Sequence, residues 1–432
     1  MTATWNSARR AAANTPAERN RYVDLLRALS ILVVVVGHWL MAAPELQPNG
    51  DLVAGHVLAD LPWTQWLTWV FQVMPIFFMV GGYANAASWR SARARGEDYG
   101  VWIHGRLHRL VLPVVPLVAV WTALAAILLA VGFDPALVRI GSQTALVPVW
   151  FLAVYIAVAA LAPLTLAAWE RWGWSSFAFG VAAAVLTDWV SISLDNDWIG
   201  WLNYLFIWGS VHQLGYAWRD GRLVGFRKTV AWGMVGLVSL LVLVSVFDYP
   251  VSMVGVPGAD VNNTLPPRLP LLALGVFQTG LLLAAERPAR RFLDRERAWT
   301  GTVLINSMIM TIYLWHLTAM VALLGISLAL GGFGLRLDAG SAEWWLTRPI
   351  WLAVVALLLI PFISAFLRFE RTKAKPAHPA AWRGIASVAA VCAGLALLAY
   401  WGIGDENGLN WVGIGLTAGG ALAGSIFTLS RP

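Results

Sequence analysis

Charge and cysteine are both scarce in this sequence. Charged residues make up 12% of its 432 residues, against about 25% in a typical soluble domain. The single cysteine, Cys392, excludes an internal disulfide, and its place in an apolar run favours a buried structural thiol. The first roughly twenty residues lack an apolar segment with a cleavage site, so we expect the first hydrophobic run to remain as an uncleaved anchor.

Apolar residues are abundant instead. They account for 59% of the chain, which includes 26 tryptophans, and the mean hydropathy is +0.67. About twelve apolar runs reach or approach the roughly 20 residues that cross a bilayer as a helix. Their approximate limits are 24–43, 65–87, 110–131, 147–168, 174–191, 201–218, 230–247, 268–285, 302–330, 347–367, 384–403 and 409–428. We therefore predict an all-α protein, a polytopic transmembrane bundle of about 12 helices.

The few cations lie mainly in alternate loops. With a cytoplasmic N-terminus, these loops hold groups such as Arg90–Arg109, Arg219–Lys228 and Arg287–Arg297. The positive-inside rule then predicts a multi-pass protein of the cell membrane with both termini in the cytoplasm. The pI near 9.8 follows from this topology, so no nucleic-acid partner is needed to explain it.

The first predicted helix carries two costly polar groups. In RALSILVVVVGHW, Arg27 and His38 lie eleven positions apart, which places them on one helical face about 16 Å apart. Ionisable side chains inside a membrane face a protein interior or a water-filled cavity, and they mark candidate functional sites.

A second histidine is expected at a similar depth. His316 lies in TVLINSMIMTIYLWHLTAM, about fourteen residues from the start of that predicted helix, and Tyr313 precedes it by three positions. Two imidazoles at one depth indicate a reaction site. A third intramembrane histidine, His212, fits a hydrogen-bonded core residue equally well. No motif has the spacing of metal ligands, so we expect no metal.

A basic segment, GRLHRLVLP, precedes the third apolar run. Its Arg106 and Arg109 are neighbours on one helical face. They anchor the helix to anionic lipid head groups, or they form a phosphate clamp that would suit coenzyme A. Charge alone does not separate these interpretations.

Four segments, in order, resemble the acyltransferase 3 family of integral membrane O-acyltransferases. The first segment has Arg27, ten further residues and then His38 on the first predicted helix. The sequence RYVDLLRALSI, which leads into it, resembles the family's usual lead-in. PIFFMVGGY, RLHRLVLP and SMIMTIYLWHL resemble the family's FFFxSGY-like, RxxR-then-proline and SxxxYLxH-like segments. Trp150 starts a Trp-Phe-Leu segment where many members have WSLxxE, so the chain resembles the WFL-bearing branch and no catalytic carboxylate is carried over. The family core has ten helices, which divides the chain into a cytoplasmic N-terminal tail (1–22), a membrane acyltransferase core (23–370) and an accessory C-terminal helical hairpin (371–432).

The resemblance implies transfer of an acyl group, often acetyl, from cytoplasmic acyl-CoA to a hydroxyl of an extracytoplasmic carbohydrate or glycolipid. Arg106 and Arg109 would bind the CoA phosphates, and Arg27 would guide the thioester arm. His38 would act as a general base or as an acyl-accepting nucleophile.

Three further residues are candidates for the same reaction. Tyr313, His316 or Trp150 would donate a hydrogen bond to the oxyanion or shape the acyl slot. A proton-coupled transporter or lipid flippase would use the same histidines as a proton relay. A lipid-linked glycosyltransferase would need an acidic residue, for which the segment 195–197 is the candidate.

Overall fold

Helices form nearly all of the regular structure in the computed structural model, which describes residues 2–16, 18–47, 49–50, 52–372, 374 and 377–426. The end of the predicted C-terminal hairpin, 427–432, and single positions of the predicted tail and hairpin lie outside the described residues. The helices up to residue 219 are α1 Thr2–Ala13, α2 Arg21–Met41, α3 Val57–Asp60, α4 Thr68–Phe71, α5 Met74–Ala94, α6 Tyr99–Val111, α7 Val114–Ala130, α8 Pro135–Ala160, α9 Ala162–Trp172, α10 Trp174–Ser193, α11 Asp197–Gly200 and α12 Asn203–Arg219. The later helices are α13 Phe226–Val246, α14 Leu269–Ala284, α15 Glu286–Leu293, α16 Glu296–Asn306, α17 Ile309–Ala329, α18 Ala342–Arg371, α19 Ala381–Trp401 and α20 Trp411–Ala423.

Two short antiparallel strand pairs and a 3-10 helix complete the regular structure. Strand β1 (Ala42–Leu46) pairs with β2 (Leu52–His56), and β3 (Gly404–Asp405) pairs with β4 (Gly408–Leu409). The 3-10 helix Pro62–Leu67 precedes α4.

The long apolar helices confirm an all-α polytopic bundle. Among the described residues, eight helical segments are long and apolar enough to cross a membrane, and ten are if two bent pairs each count as one span. The two remaining predicted runs, 201–218 and 409–428, correspond to α12 and α20, which have 17 and 13 residues in the described part of the chain. The first is at the short end of the range that crosses a bilayer, and the second is below it.

A proline explains one of the two bends. Helices α6 and α7 meet at 43°, and Pro113 lies at the junction. Proline has no backbone N–H and clashes with the preceding turn, so it interrupts the helical ladder. The basic segment that ends at this proline therefore forms a separate helix, α6, rather than the start of a straight span.

The predicted helix over 302–330 is also interrupted. Helix α16 ends at Asn306 and α17 begins at Ile309, so His316 lies in the second turn of a new helix rather than fourteen residues into a long one. The Glu370 carboxylate accepts hydrogen bonds from the backbone N–H groups of Met310 (3.1 Å) and Thr311 (2.9 Å). It thereby satisfies donors that the start of a helix leaves unpaired.

The first helix and the last two helices pack against the bundle. Within the predicted N-terminal tail, α1 lies against α16, where the Trp299 indole donates to the Ala12 carbonyl at 3.3 Å. Helix α19 packs against α8 and α6, and α20 packs against α19. Leu395 is fully buried in the same apolar cluster as Leu152 of α8. The half-buried Cys392 thiol donates to the Ala153 carbonyl at 3.2 Å.

Candidate functional site

Two histidines from different helices meet inside the bundle. His38 of α2 and His316 of α17 have ring nitrogens Nδ1 and Nε2 only 2.8 Å apart, and their rings are stacked at 5.1 Å with an angle of 6°. His316 is fully buried, whereas His38 is half-buried. The prediction that the two imidazoles share one depth is confirmed by this contact.

The hydrogen bonds of His316 define the tautomers of both rings. Its Nδ1 lies 2.6 Å from the Tyr313 carbonyl oxygen, which can only accept, so Nδ1 carries a proton. In the neutral ring Nε2 is then an acceptor, and His38 must donate from Nδ1. The Nε2 atom of His38 is left with a lone pair, as a general base or nucleophile requires.

Neighbouring side chains hold the histidine pair in place. The Trp39 indole donates to the His316 carbonyl at 3.0 Å, and the Tyr313 hydroxyl donates to the Pro148 carbonyl at 2.7 Å. The tyrosine therefore joins α17 to α8. Phe151 contacts the Tyr313 ring edge-on, with a centroid distance of 5.9 Å.

The Trp-Phe-Leu segment places Trp150 and Phe151 against different partners. The Trp150 ring packs edge-on against Tyr204 of α12 at 6.3 Å, and it is the next residue, Phe151, that contacts Tyr313. Consecutive residues on a helix differ by about 100° in direction, so neighbours in the sequence face different partners.

The three predicted arginines, Arg27, Arg106 and Arg109, lie together at one end of the bundle. This end also holds Arg93 and Arg95 at the end of α5 and is called the arginine-rich end. Arg106 is close enough to Arg27 and Arg109 for both of their charges to act on its guanidinium. Arg106 is half-buried, donates to the Ala84 carbonyl at 3.3 Å and lies over Trp102 at 5.5 Å. Arg109 is exposed.

These arginines have little negative charge around them. Within the described part of the chain, Arg106 and Arg109 have no ion-pair partner, and Arg27 approaches only Asp24, at 3.9 Å. Arg19 already binds that carboxylate at 2.6 and 3.0 Å. The cluster of Arg27, Arg106 and Arg109 therefore carries positive charge that an anionic ligand would neutralise.

Glycines in PIFFMVGGY allow a close helix crossing beside this cluster. A Cβ at Gly82 would collide with the His212 carbonyl oxygen of α12, and one at Gly81 would come within 2.7 Å of the Tyr155 ring. The two adjacent glycines therefore bring α12 and the Tyr155 side chain directly onto α5. This contact explains in physical terms why the segment contains no larger residue there.

A second buried polar pair lies at this crossing. His212 Nε2 is 3.0 Å from Asn85 Nδ2, and each residue is 1% exposed. The Arg106 charge acts on His212, so this third histidine belongs to the arginine end rather than to the His38–His316 pair. The sequence pattern did not single out Asn85, which lies two residues after the glycine motif.

A resident metal is not indicated by the donor groups. Among the residues that the structure describes, no three His, Cys, Asp or Glu side chains lie close enough together to hold a metal ion.

The fold and the site define the class: a multi-pass membrane protein that holds an imidazole pair inside its bundle and an arginine cluster at one end. Within that class, residues 20–368 match a family model described as an acyltransferase domain, and the chain belongs to the acyltransferase 3 family. The protein is therefore a membrane acyltransferase. No curated protein sequence and no solved structure matches the chain significantly.

Proposed function

We propose that the protein transfers an acyl group, acetyl by expectation, from acyl-CoA on the cytoplasmic side to a hydroxyl of a carbohydrate or glycolipid on the outer side. The observation that carries this proposal is the 2.8 Å contact between His38 and His316. Because the Tyr313 carbonyl holds the His316 proton, His38 keeps a free Nε2 lone pair, and His38 is the more exposed of the two rings.

The arginine cluster supports a donor that carries phosphates. Coenzyme A has a diphosphate and a 3′-phosphate, and guanidinium groups bind such groups with paired hydrogen bonds. The positive-inside rule assigns the arginine-rich end, and with it both termini, to the cytoplasm, where acyl-CoA is available. Arg27 and His38 lie eleven positions apart on α2, so an extended thioester arm would cover about 16 Å between them.

In the direct mechanism, His38 Nε2 takes the proton of the acceptor hydroxyl as its oxygen attacks the thioester carbonyl. The tetrahedral intermediate collapses, the carbon–sulfur bond breaks, and the departing thiolate takes the proton from His38. The ester and free CoA are the products, and His38 returns to its starting form.

A two-step mechanism uses the same lone pair. His38 Nε2 attacks the thioester carbonyl, CoA thiolate leaves, and an acyl-imidazolium that still carries the Nδ1 proton remains. The acceptor hydroxyl then attacks this acyl group, the carbon–nitrogen bond breaks, and the hydroxyl proton passes to the thiolate through solvent. Both mechanisms depend on Nε2 of His38.

The three candidate oxyanion donors differ in how their protons are used. Tyr313 gives its hydroxyl proton to Pro148, and both nitrogens of His316 are engaged. We therefore assign Tyr313 and His316 to positioning His38. Trp150 is the remaining candidate, since no hydrogen bond in the described part of the chain uses its indole N–H.

The proposal is tested by incubating membranes that contain the protein with radiolabelled acetyl-CoA and a glycolipid extract of the cell envelope. His38→Ala should lower transfer of the label by about 100-fold or more, as expected for loss of a general base or nucleophile. His378→Ala is the matched control, because His378 is an exposed histidine outside the bundle helices.

Equal labelling by wild type and His38→Ala would remove His38 from the mechanism. If the wild type transferred no label from any acyl-CoA, the proposed donor would be wrong.

A further inference from the structure

A fourth histidine lies beside the end of the helix that carries His38. His56 is the last residue of β2, and the hairpin register places it opposite Ala42 of β1. Ala42 directly follows α2, and its N–H donates to the His38 carbonyl. The hairpin therefore folds His56 back to a point one helical turn beyond His38.

A close backbone contact maintains this register. Gly55 lies opposite Ala43, and a Cβ at Gly55 would collide with the Ala43 carbonyl oxygen. Ala43 is 3% exposed, so the strand pair rests on the bundle rather than projecting from it. His56 is close enough to His38 for the charge of one ring to act on the other.

The ring of His56 has a defined proton arrangement. Its Nδ1 accepts the Leu58 N–H at 3.3 Å and so caps α3. In the neutral ring the proton then lies on Nε2. Burial lowers the pKa of His56, and the Asp60 carboxylate offsets only part of this effect, so the ring is neutral at pH 7 and Nε2–H is a hydrogen-bond donor.

We propose that His56 is a positioning residue for the acceptor: its Nε2–H donates to an oxygen of the hydroxyl-bearing carbohydrate and holds it at the outer mouth of the His38 site. The inference rests on the proposed function and names the part of the site that faces the acceptor. A half-buried imidazole offers a directional donor without a full charge, which suits a polyhydroxylated ligand.

The exposed Asp60 adds a complementary group next to His56. One of its carboxylate oxygens lies 3.6 Å from the ideal Cβ position of Gly55, and its charge acts on His56. A carboxylate accepts hydrogen bonds from sugar hydroxyls, whereas His56 donates one. The two side chains together provide an acceptor and a donor at the hairpin.

Two substitutions separate the helix cap from the proposed ligand contact. His56→Asn keeps an acceptor near the Nδ1 position and so preserves the cap of α3, but it has no group at the Nε2 position. His56→Gln carries an amide N–H near the Nε2 position and gives up the local cap. The assay uses radiolabelled acetyl-CoA with the envelope glycolipid extract, in membranes that contain the full-length protein.

The half-saturating amount of extract should rise about fivefold to tenfold in His56→Asn, as for the loss of one hydrogen bond. The half-saturating concentration of acetyl-CoA should change by less than twofold, about the scatter of such comparisons. His56→Gln should recover part of the lost affinity for the extract. His378→Ala serves as the unaffected control.

Wild-type kinetics in His56→Asn, together with lower protein abundance in His56→Gln, would show that His56 acts only as a helix cap. That result would overturn this inference but not the proposed function. Equal changes in the half-saturation of both substrates would also overturn it. A wild type that transfers no label would instead overturn the proposed function, and this inference with it.

Discussion

The two imidazole rings of His38 and His316 differ in how many of their ring nitrogens are hydrogen-bonded. His316 is fully buried, and both of its ring nitrogens are engaged, so its proton cannot move without breaking a hydrogen bond to the backbone. His38 uses one nitrogen for His316 and keeps the other free. A backbone carbonyl of α17 thus determines which atom on α2 can act as a base.

The hydroxyl of Tyr313 gives a test of the positioning role. Tyr313→Phe removes the 2.7 Å bond to Pro148 and should lower the free energy of unfolding by about 1 kcal/mol. Acyl transfer should fall less than about tenfold, because an oxyanion donor would be worth about 100-fold or more. Thermal denaturation in detergent and the transfer assay measure the two effects.

A fall in acyl transfer of 100-fold or more with unchanged stability would contradict the positioning role. Tyr313 would then be a candidate hydrogen-bond donor to the oxyanion.

The sequence predicts some of this geometry and misses the rest for one physical reason. The common level of His38 and His316 is predicted from their places in the apolar runs, although the break before α17 makes the residue count from the helix start wrong. The rotation of each helix about its axis depends on its neighbours. The sequence pattern therefore could not show that Phe151, rather than Trp150, contacts Tyr313.

At the scale of elements, the contact between α5 and α12 depends on backbone atoms. Gly82 faces Gly215, and a Cβ at Gly215 would collide with the Met79 carbonyl oxygen. Small residues allow membrane helices to approach this closely. The stabilisation of such a helix pair comes from close packing rather than from the hydrophobic effect. The crossing positions Asn85 against His212.

Two alanine substitutions on α12 test this crossing. Gly215→Ala should lower the free energy of unfolding by about 1–3 kcal/mol because the added methyl forces the backbones apart. Gly209→Ala is the matched control, since nothing lies within 4 Å of its Cβ position. The control should be neutral or slightly stabilising because alanine favours the helix.

Thermal denaturation of both variants, purified in the same detergent, provides the measurement. Equal stabilities would mean that the bundle relaxes around Gly215 and that the close crossing is not required.

The interruption between α16 and α17 also belongs to this scale. The apolar pattern over 302–330 continues through the break, so periodicity alone predicts one helix. The Glu370 carboxylate that binds the start of α17 comes from α18, about sixty residues later in the chain. Local sequence could not reveal a contact over that separation.

At the scale of the whole molecule, the arginines divide into paired and unpaired sets. Arg93 bonds Glu170, and Arg95 bonds Glu97, as expected for surface charges. Arg106 and Arg109 have no carboxylate partner in the described part of the chain, although they occupy the same arginine-rich end. General attraction to anionic lipid would act on both sets, whereas a phosphate clamp requires the unpaired set.

The Arg106→Ala, Arg109→Ala double variant should weaken acyl-CoA binding by about 100-fold, from the loss of two charge-assisted hydrogen bonds. The Arg93→Ala, Arg95→Ala double variant removes the same charge and should change the Kd by no more than about twofold. Calorimetric titration of the purified proteins with acetyl-CoA measures both.

Equal weakening of acetyl-CoA binding in the two double variants would favour nonspecific electrostatic attraction between acetyl-CoA and the arginine-rich end. Loss of membrane insertion in the first variant alone would favour anchoring to lipid head groups.

The packing of α19 has a consequence for where this protein can be cut. The family match ends at residue 368, yet α19 covers α8, the helix whose Pro148 carbonyl holds Tyr313. The portion of the chain that the family model covers is thus smaller than the portion that packs together. A variant that ends at residue 368 would keep every residue of the proposed chemistry. It would lose α19, so lipid instead of protein would contact the outer face of α8.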